Sequence, residues 1–145
     1  MYRLFNTNYN HRSLDFALLL LRLAIAALML THGIAKLNTL LEGGEIKFPD
    51  PIGVGSVLSL VLAVFAEVFC SALILIGLAT RLAVLPLIIT MIVAVLIVHG
   101  ADGMAEKELG LHYLLAYLVL LFAGSGRISV DSLISRKTTR SKRGY

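Results

Sequence analysis

Residues 14–37 read LDFALLLLRLAIAALMLTHGIAKL, a nearly continuous apolar run that contains Arg22, His32 and Lys36. A helix that crosses a bilayer needs about 20 predominantly apolar residues, so this run predicts a membrane-spanning helix. An ionised side chain near the bilayer centre costs about 2.5–3.5 kcal/mol, so each of the three needs water or a partner. The charge at Arg22 also favours a retained helix over a cleaved signal peptide.

Three further apolar runs follow, and together the four predict an all-α, four-helix transmembrane bundle. The predicted spans are residues 14–37, 54–79, 82–100 and 108–126. One domain covers residues 1–145 and ends in a basic tail at 127–145. The composition agrees with this class, because 58% of the residues are hydrophobic and only 15% are charged. Soluble domains carry about 25% charged residues.

The basic residues are concentrated on the side of the predicted bundle that holds both termini. That side carries Arg3, Arg12, Arg81, Arg127, Arg136, Lys137, Arg140, Lys142 and Arg143. The opposite side carries three lysines beside six carboxylates. Positive residues mark the cytoplasmic side, so the pattern predicts a multi-pass bacterial inner-membrane protein with both termini in the cytoplasm. The tail is expected to contact anionic lipid headgroups and not nucleic acid, since no aromatic residues alternate with its basic ones.

Local signals refine where the elements begin. Ser13 or Asp15 is predicted to cap the first helix. Pro86 is predicted to lie near the start of the third span, where its missing N–H costs little. The loop at residues 38–53 contains the segment Phe48-Pro49-Asp50-Pro51. We expect this loop to pack as a cap over the outer end of the bundle, with a substrate lid as the alternative.

The polar groups of the first span fall on one face of the helix. At 100° per residue, and measured from Arg22, they lie within about a third of the circumference. The other members of this face are Asp15, Met29, His32, Gly33 and Lys36. Contact with lipid would leave each charge in hydrocarbon, so this face is predicted to meet other helices or water.

Glu67 lies near the centre of the second span, on a face that also carries small residues such as Ser59, Ala63 and Cys70. Small residues let helices approach closely, so this face is predicted to pack within the bundle. The helical rise places Arg22 about 12 Å and Glu67 about 18 Å from the inner ends of their helices. We therefore expect a buried Arg22–Glu67 ion pair, with either a structural or a proton-carrying role.

Four side chains are predicted to converge near the outer end of the bundle: His32, Lys36, His99 and His112. Three histidines beside a carboxylate would suit zinc, copper or iron, but the missing HxxxH or HxxE spacing disfavours a metal site. The single cysteine, Cys70, excludes a disulfide or a cysteine zinc site within one chain. Histidine and lysine beside Tyr113 or Tyr117 would instead hold the carbonyl oxygens of a quinone, which is the cofactor we expect.

The ordered set of these residues resembles the DoxX family of small bacterial membrane proteins, over residues 15–134. The matching positions are Arg22-Leu23, His32-Gly33, Lys36-Leu37, Phe48-Pro49-Asp50-Pro51-Ile52-Gly53, Glu67, Gly77, Thr80, Arg81, Met91, Ala94, His99, Gly124, Gly126, Ser129 and Asp131. The resemblance implies a four-helix membrane bundle associated with oxidoreductases. Relatives include a subunit linked to thiosulfate:quinone oxidoreduction and partners in thiol and superoxide defence.

Together the polar face and the resemblance predict an integral membrane component of an oxidoreductase system that acts at the quinone pool. In this hypothesis Glu67 and His99 relay protons while Arg22 balances charge. The residues predicted to bind the quinone are His32, Lys36, His112 and Tyr113. The expected partners are membrane lipids and a soluble or membrane redox enzyme. The alternatives are a proton-coupled or small-solute transporter, which would require a homo-oligomer, and a membrane scaffold that recruits a soluble redox enzyme.

Overall fold

The structure, a computed structural model, describes residues 10–44 and 46–141, and for residues 137–141 it describes the backbone alone. Arg3, Lys142 and Arg143, which contribute to the predicted charge asymmetry, lie outside the described residues, as do the side chains of Lys137 and Arg140. Every regular element in the described ranges is a helix, so the predicted all-α class is confirmed.

Five helices follow one another within residues 10–44 and 46–141. They are α1 (His11–Glu42), α2 (Ser56–Ile76), α3 (Thr80–Val98), α4 (Met104–Ala123) and α5 (Val130–Ser141). Helices α1 to α3 are long and apolar enough to cross a membrane. Helix α4 has 20 residues, but the charges Glu106, Lys107 and Glu108 fall in its first turns. The described ranges therefore contain three candidate spans, with α4 packed beside α3.

Two predicted helix starts are wrong. Asn10 caps α1, because its side-chain oxygen accepts a hydrogen bond from the Arg12 amide at 3.1 Å. Asp15 lies inside the helix and instead accepts from the Arg127 amide at 2.9 Å, and Ser13 is also an interior residue. Helix α3 begins at Thr80, so Pro86 lies inside it rather than in its first turn. The Thr90 hydroxyl donates to the Pro86 carbonyl at 2.9 Å.

Two of the helices contain a π-helical segment. In α2 it covers Phe65–Cys70, and in α3 it covers Ala94–Val98. The His99 amide donates to the Ala94 carbonyl at 2.9 Å, a hydrogen bond across five residues that is typical of a π turn. Such turns occur mostly as single interruptions of α-helices and often mark functional sites.

The predicted polar face of α1 packs into the bundle at Arg22, Met29 and Gly33, whereas Lys36 is partly buried and His32 is exposed. The buried residues of α1 are Leu18, Arg22, Ala26, Met29 and Gly33. Gly33 meets the π segment of α2 so closely that an added Cβ atom would lie 2.8 Å from the carbonyl carbon of Glu67. Further along, an added Cβ at Gly77 would lie 2.6 Å from the Arg22 guanidinium. Helices α1 and α2 are therefore antiparallel, and these two contacts define how they are offset.

The bundle has two ends that differ in their connections. We call the end that carries residues 77–79 and 124–129 the terminal end, and the end that carries residues 43–44, 46–55 and 99–103 the loop end. At the terminal end α2 closes with Gly77 in a left-handed conformation (φ 72°, ψ 42°). The Leu78 amide then donates back to the Leu73 carbonyl at 2.9 Å, which is the closing bond of a Schellman motif.

Candidate functional site

The embedded charges separate into two centres. The first, the Arg22 anchor, consists of Arg22, Ser125, Ile128 and Asp131 at the terminal end. Arg22 is 1% exposed, and its Nη1 donates to the carbonyl oxygens of Ser125 and, at 3.1 Å, of Ile128. Its Nε is buried and has no partner among the described residues. The guanidinium thus holds the chain that leaves α4 against the bundle.

Asp131 completes the anchor from the first turn of α5. Its carboxylate accepts from the amides of Ala79 at 2.7 Å and Thr80 at 3.1 Å, and its charge acts on Arg22. Amides at the start of a helix lack intrahelical partners, so the carboxylate caps α3. The Asp131 amide in turn donates to the Gly77 carbonyl at 2.9 Å. The anchor therefore joins α1, the α2–α3 turn and the start of α5.

The predicted Arg22–Glu67 ion pair is not formed. Gly33 packs against Glu67, whereas Gly77 packs against Arg22. Arg22 and Gly33 are eleven residues apart on α1, which corresponds to about 16 Å along the helix axis. The prediction counted both helices from a common level, but α1 extends well beyond the end of α2 at the terminal end. Two side chains cannot close the resulting separation.

Glu67 instead pairs with Lys36, one helical turn beyond Gly33. The Lys36 ammonium contacts Glu67 Oε1 in an ion pair whose carboxylate is buried and whose lysine is partly exposed. The same ammonium lies 5.8 Å from the centre of the Phe48 ring, within the range of a cation–π contact. Glu67 Oε2 is buried and has no hydrogen-bond partner among the described residues.

The Lys36–Glu67 pair borders a cavity of about 580 Å³ in the loop-end half of the bundle. Five of the polar residues singled out in the sequence line this cavity: His32, Lys36, Glu67, His99 and Tyr113. Most of the remaining wall is apolar and includes Met29, Leu62, Ala63, Phe65, Ile89, Val93, Val95 and Leu109. Arg22 is not among the lining residues. A mainly apolar wall with a few converging polar groups is typical of small-molecule sites.

The histidines take different positions around the cavity. The His32 ring meets the Tyr113 ring edge to face, with their centroids 6.0 Å apart. The His99 Nδ1 lies 2.8 Å from Asp102 Oδ2, an exposed contact at the loop end. His112 does not join them, because its Nδ1 lies 2.8 Å from the Glu108 carbonyl on its own helix and it does not line the cavity. The predicted convergence therefore includes His32 and His99 and leaves out His112.

The loop before α2 forms the loop-end wall of the cavity. We call residues 48–52 the strap, of which Phe48, Pro49, Pro51 and Ile52 line the cavity. Asp50 holds the strap in place, since its carboxylate accepts from the amides of Gly55 at 2.7 Å and Val54 at 2.9 Å and from the Ser59 hydroxyl at 2.8 Å. The hydrogen bond from Gly55, followed by that from Ser59, lowers the pKa of Asp50.

The comparisons with known proteins follow the same part of the chain. The DoxX family model matches residues 17–100, which is more than half of the sequence. The chain belongs to the DoxX family. It is 30% identical to an uncharacterized membrane protein of Mycobacterium tuberculosis, over an alignment that covers 82% of each chain. No solved structure matches it.

The residues that suggested the family contribute to both centres of this DoxX protein. The motif residues near the cavity are His32, Gly33, Lys36, Glu67 and His99, and the strap residues 48–52. Those at the terminal end are Arg22, Gly77, Thr80, Arg81, Gly124, Gly126, Ser129 and Asp131. The DoxX match ends at residue 100, so it includes the Lys36–Glu67 pair and stops before Tyr113. Tyr113 lies on α4, which closes one side of the cavity.

Sequence reasoning missed several parts of the DoxX site. Neither π segment was foreseen, because a π turn is a local change of register that leaves no mark in apolar periodicity. The role of Asp50 had a detectable signal, since an acidic residue a few positions before a helix is a common cap. Ser71, a buried serine of α2, also went unnoticed. No group of three or more histidine, cysteine, aspartate or glutamate side chains within the described ranges could hold a metal ion.

Proposed function

We propose that this DoxX protein is an integral membrane component of an oxidoreductase system and that it binds a quinone in the loop-end cavity. The observation that carries the proposal is the Lys36–Glu67 pair at the edge of this largely apolar cavity. One oxygen of the Glu67 carboxylate meets the lysine, and the other has no partner among the described residues. A buried ionisable group beside an open cavity is a candidate for function.

The residues around the cavity suit a quinone in both their polar and apolar parts. The Lys36 ammonium, the His32 ring and the Tyr113 hydroxyl can donate hydrogen bonds to carbonyl oxygens. The apolar wall can cover the ring and the start of its tail. A bound quinone would supply the chemistry of taking up two electrons and two protons. Glu67 can hold a proton beside the cavity, and His99 with Asp102 forms a polar pair at the loop end.

The walls of the cavity favour a ligand that arrives from the bilayer. The segment Ser56–Val64 of α2 packs against α1 and makes no substantial contact with α3. Three apolar side chains line the cavity and are also exposed on the outer surface of α2 and α3: Leu62, Phe65 and Ile89. Both helices are candidate membrane spans, so under this proposal these side chains face hydrocarbon. A lipid-soluble quinone fits such a cavity better than a polar metabolite.

In this proposal a soluble or membrane redox enzyme is the partner that exchanges electrons with the bound quinone. Arg22 takes no part in the site under this proposal, because it lies at the terminal end and binds backbone carbonyls. His112 is likewise placed outside the site. The groups proposed to act on the ligand are therefore His32, Lys36, Glu67, His99 and Tyr113.

Quinone binding by the purified full chain in lipid nanodiscs tests the proposal. We expect a prenylated naphthoquinone or benzoquinone to bind saturably, and Lys36→Met to weaken binding about 10- to 100-fold, as expected for a lost hydrogen bond from a charged group. His112→Ala is the matched control and should bind as the unaltered protein does. Absence of saturable binding, or equal binding by Lys36→Met and the unaltered chain, would reject the proposal.

We further propose that α4 also crosses the membrane, and that the terminal end lies on the cytoplasmic side of a bacterial inner membrane. The exposed cations Arg12, Arg81 and Arg127 belong to the terminal end, which favours this orientation. Cysteines introduced one at a time in a Cys70→Ala background provide the test. Gly103→Cys should react with an impermeant thiol reagent outside intact cells, and Arg136→Cys only after permeabilisation. The reverse pattern would overturn the orientation.

A further inference from the structure

Three buried polar atoms on the inner side of the cavity have no close hydrogen-bond partner within the described ranges. Glu67, Ser71 and Tyr117 are each at most 1% exposed, and none of Glu67 Oε2, Ser71 Oγ and the Tyr117 hydroxyl has a hydrogen-bond partner among the described residues. Buried polar atoms in native proteins are nearly always hydrogen-bonded, and ordered water supplies the bond where protein does not.

The three side chains lie in one region of the interior. Glu67 and Ser71 are four residues apart on α2, and the wide π turn between them keeps both on one side of the helix. The Tyr117 hydroxyl of α4 lies close enough to Ser71 for a weak interaction, but not at the distance of a full hydrogen bond, and it lies within reach of the Glu67 charge. The ring of Tyr117 stacks on that of Tyr113, with centroids 6.2 Å apart and planes at 24°. Tyr113 lines the cavity, whereas Tyr117 lies behind it.

We infer that Glu67, Ser71 and Tyr117 form a binding site for one buried water molecule, here called the inner water site. In this arrangement the water donates hydrogen bonds to Glu67 Oε2 and Ser71 Oγ and accepts one from the Tyr117 hydroxyl. Buried waters usually make two to four such bonds, and the three side chains offer one donor and two acceptors for this geometry. Lys36 holds Oε1 from the cavity side while the water holds Oε2 from the inner side.

The inner water site gives Ser71 and Tyr117 a positioning role. A carboxylate with hydrogen bonds on both oxygens keeps its charge at lower cost than one with a bare buried oxygen. This part of the inference rests on the proposed quinone function, in which the Glu67 carboxylate borders the bound ligand. The carboxylate is then stabilised by Lys36 on one oxygen and by the water on the other.

Infrared difference spectroscopy of the full chain in lipid nanodiscs tests the inner water site without any quinone. Glu67→Gln identifies the carboxylate band of Glu67. We expect Tyr117→Phe and Ser71→Ala to shift that band, because each removes a bond to the water. Ser59→Ala is the matched control, since Ser59 is another buried serine of α2 whose hydroxyl bonds Asp50 instead. An unshifted band in both variants would overturn the inference.

A second measurement uses the unaltered protein and is independent of how the variants fold. Exchange into H₂¹⁸O should shift an O–H band of a strongly hydrogen-bonded water, and this band should be lost in Glu67→Gln. Absence of any such isotope-sensitive band would also overturn the inference. Because neither measurement includes a quinone, a protein that fails to bind quinone and still shows the water band would reject the proposed function alone.

Discussion

The two halves of the bundle use embedded charge in different ways. At the terminal end, Arg22 donates to two backbone carbonyls and lies near Asp131, which itself caps α3. At the loop end, Lys36 and Glu67 meet at the edge of a cavity of about 580 Å³, and one Glu67 oxygen has no partner among the described residues. Both centres are expensive to bury. The Lys36–Glu67 pair lines this cavity, whereas Arg22 does not.

The difference shows that burial alone does not separate a charge that binds backbone from a charge that borders a cavity. Arg22 and Glu67 are equally buried and both lie on apolar helices. What distinguishes them is what surrounds their polar atoms: backbone of the same chain in one case and a cavity in the other. The comparison predicts that changes at the terminal end affect folding most, whereas changes at the loop end affect binding.

The largest loss of stability is expected from Arg22→Met. The substitution keeps an unbranched apolar stem but leaves the carbonyls of Ser125 and Ile128 without their donor, at about 1–3 kcal/mol for each buried group. We expect the free energy of unfolding to fall by about 3 kcal/mol. Reversible unfolding in mixed micelles measures it, with Arg12→Met, an exposed arginine of the same helix, as control. A loss under about 1 kcal/mol would mean that the anchor is not structural.

A substitution in the Lys36–Glu67 pair is expected to cost less stability, and a second substitution should restore it. Lys36→Met leaves a buried carboxylate without its cation, which should cost about 2 kcal/mol because the lysine is partly exposed. Adding Glu67→Leu removes that carboxylate and should restore stability to within about 1 kcal/mol of the unaltered protein. Quinone binding should remain weak in both variants. Recovery of binding together with stability would make this pair structural, like the anchor.

Gly33→Ala probes the contact that brings α1 to the π segment. The added Cβ would lie 2.8 Å from the Glu67 backbone, and overpacking of this kind costs about 1–3 kcal/mol. Alanine regains about 1 kcal/mol of helix propensity, so the expected net loss is about 0–2 kcal/mol. Gly110→Ala is the matched control, because its Cβ would meet a methyl group of Val95 rather than backbone. Equal losses of stability in the two variants would show that the helix contact at Gly33 tolerates an added methyl group as well as the contact at Gly110 does.

The smallest loss of stability is expected from protonation of Asp50, which in the unaltered protein takes place only in acid. Its pKa lies below the ordinary value of about 3.9 because backbone and Ser59 donors stabilise the carboxylate. The stabilisation is therefore complete above about pH 4 and is lost as the pH falls through the lowered pKa. Hydrogen exchange of the Val54 and Gly55 amides, corrected for intrinsic rates, should change only in that acidic range. Asp50→Ala should remove the protection at every pH. A transition near pH 6 would contradict this assignment.

Much of the fold was accessible from the sequence, because apolar runs determine where membrane helices form. The inward face of α1 followed from 100° periodicity, and the family followed from the ordered residues around it. The relative heights of the helices were not accessible. They depend on Gly33 and Gly77, whose close contacts set how far α1 slides along α2. This is why the sequence paired Glu67 with Arg22, although Lys36 lies on the same predicted face.

The sequence predicted most residues of the candidate site but not how they are arranged. His32, Lys36, Glu67, His99 and Tyr113 do share one cavity near the loop end, although His32 is exposed and His99 is partly exposed. His112 was misplaced because the backbone of its own helix satisfies its ring nitrogen. The support from Asp50 and the neighbours of Tyr117 depend on tertiary packing, which helical periodicity does not report.

The π segment of α2 has a consequence for the way this protein tolerates insertions and deletions. A turn closed across five residues holds one residue more than an α turn, so it changes the phase of the helix by about 100°. Ser59, which anchors the strap through Asp50, lies on one side of this phase change, and Ser71 lies on the other. Deleting a single residue within Phe65–Cys70 would leave a regular helix whose two halves point in incompatible directions. The extra residue therefore fixes the rotation of one half of α2 relative to the other, and the alignment of the whole loop-end half depends on it.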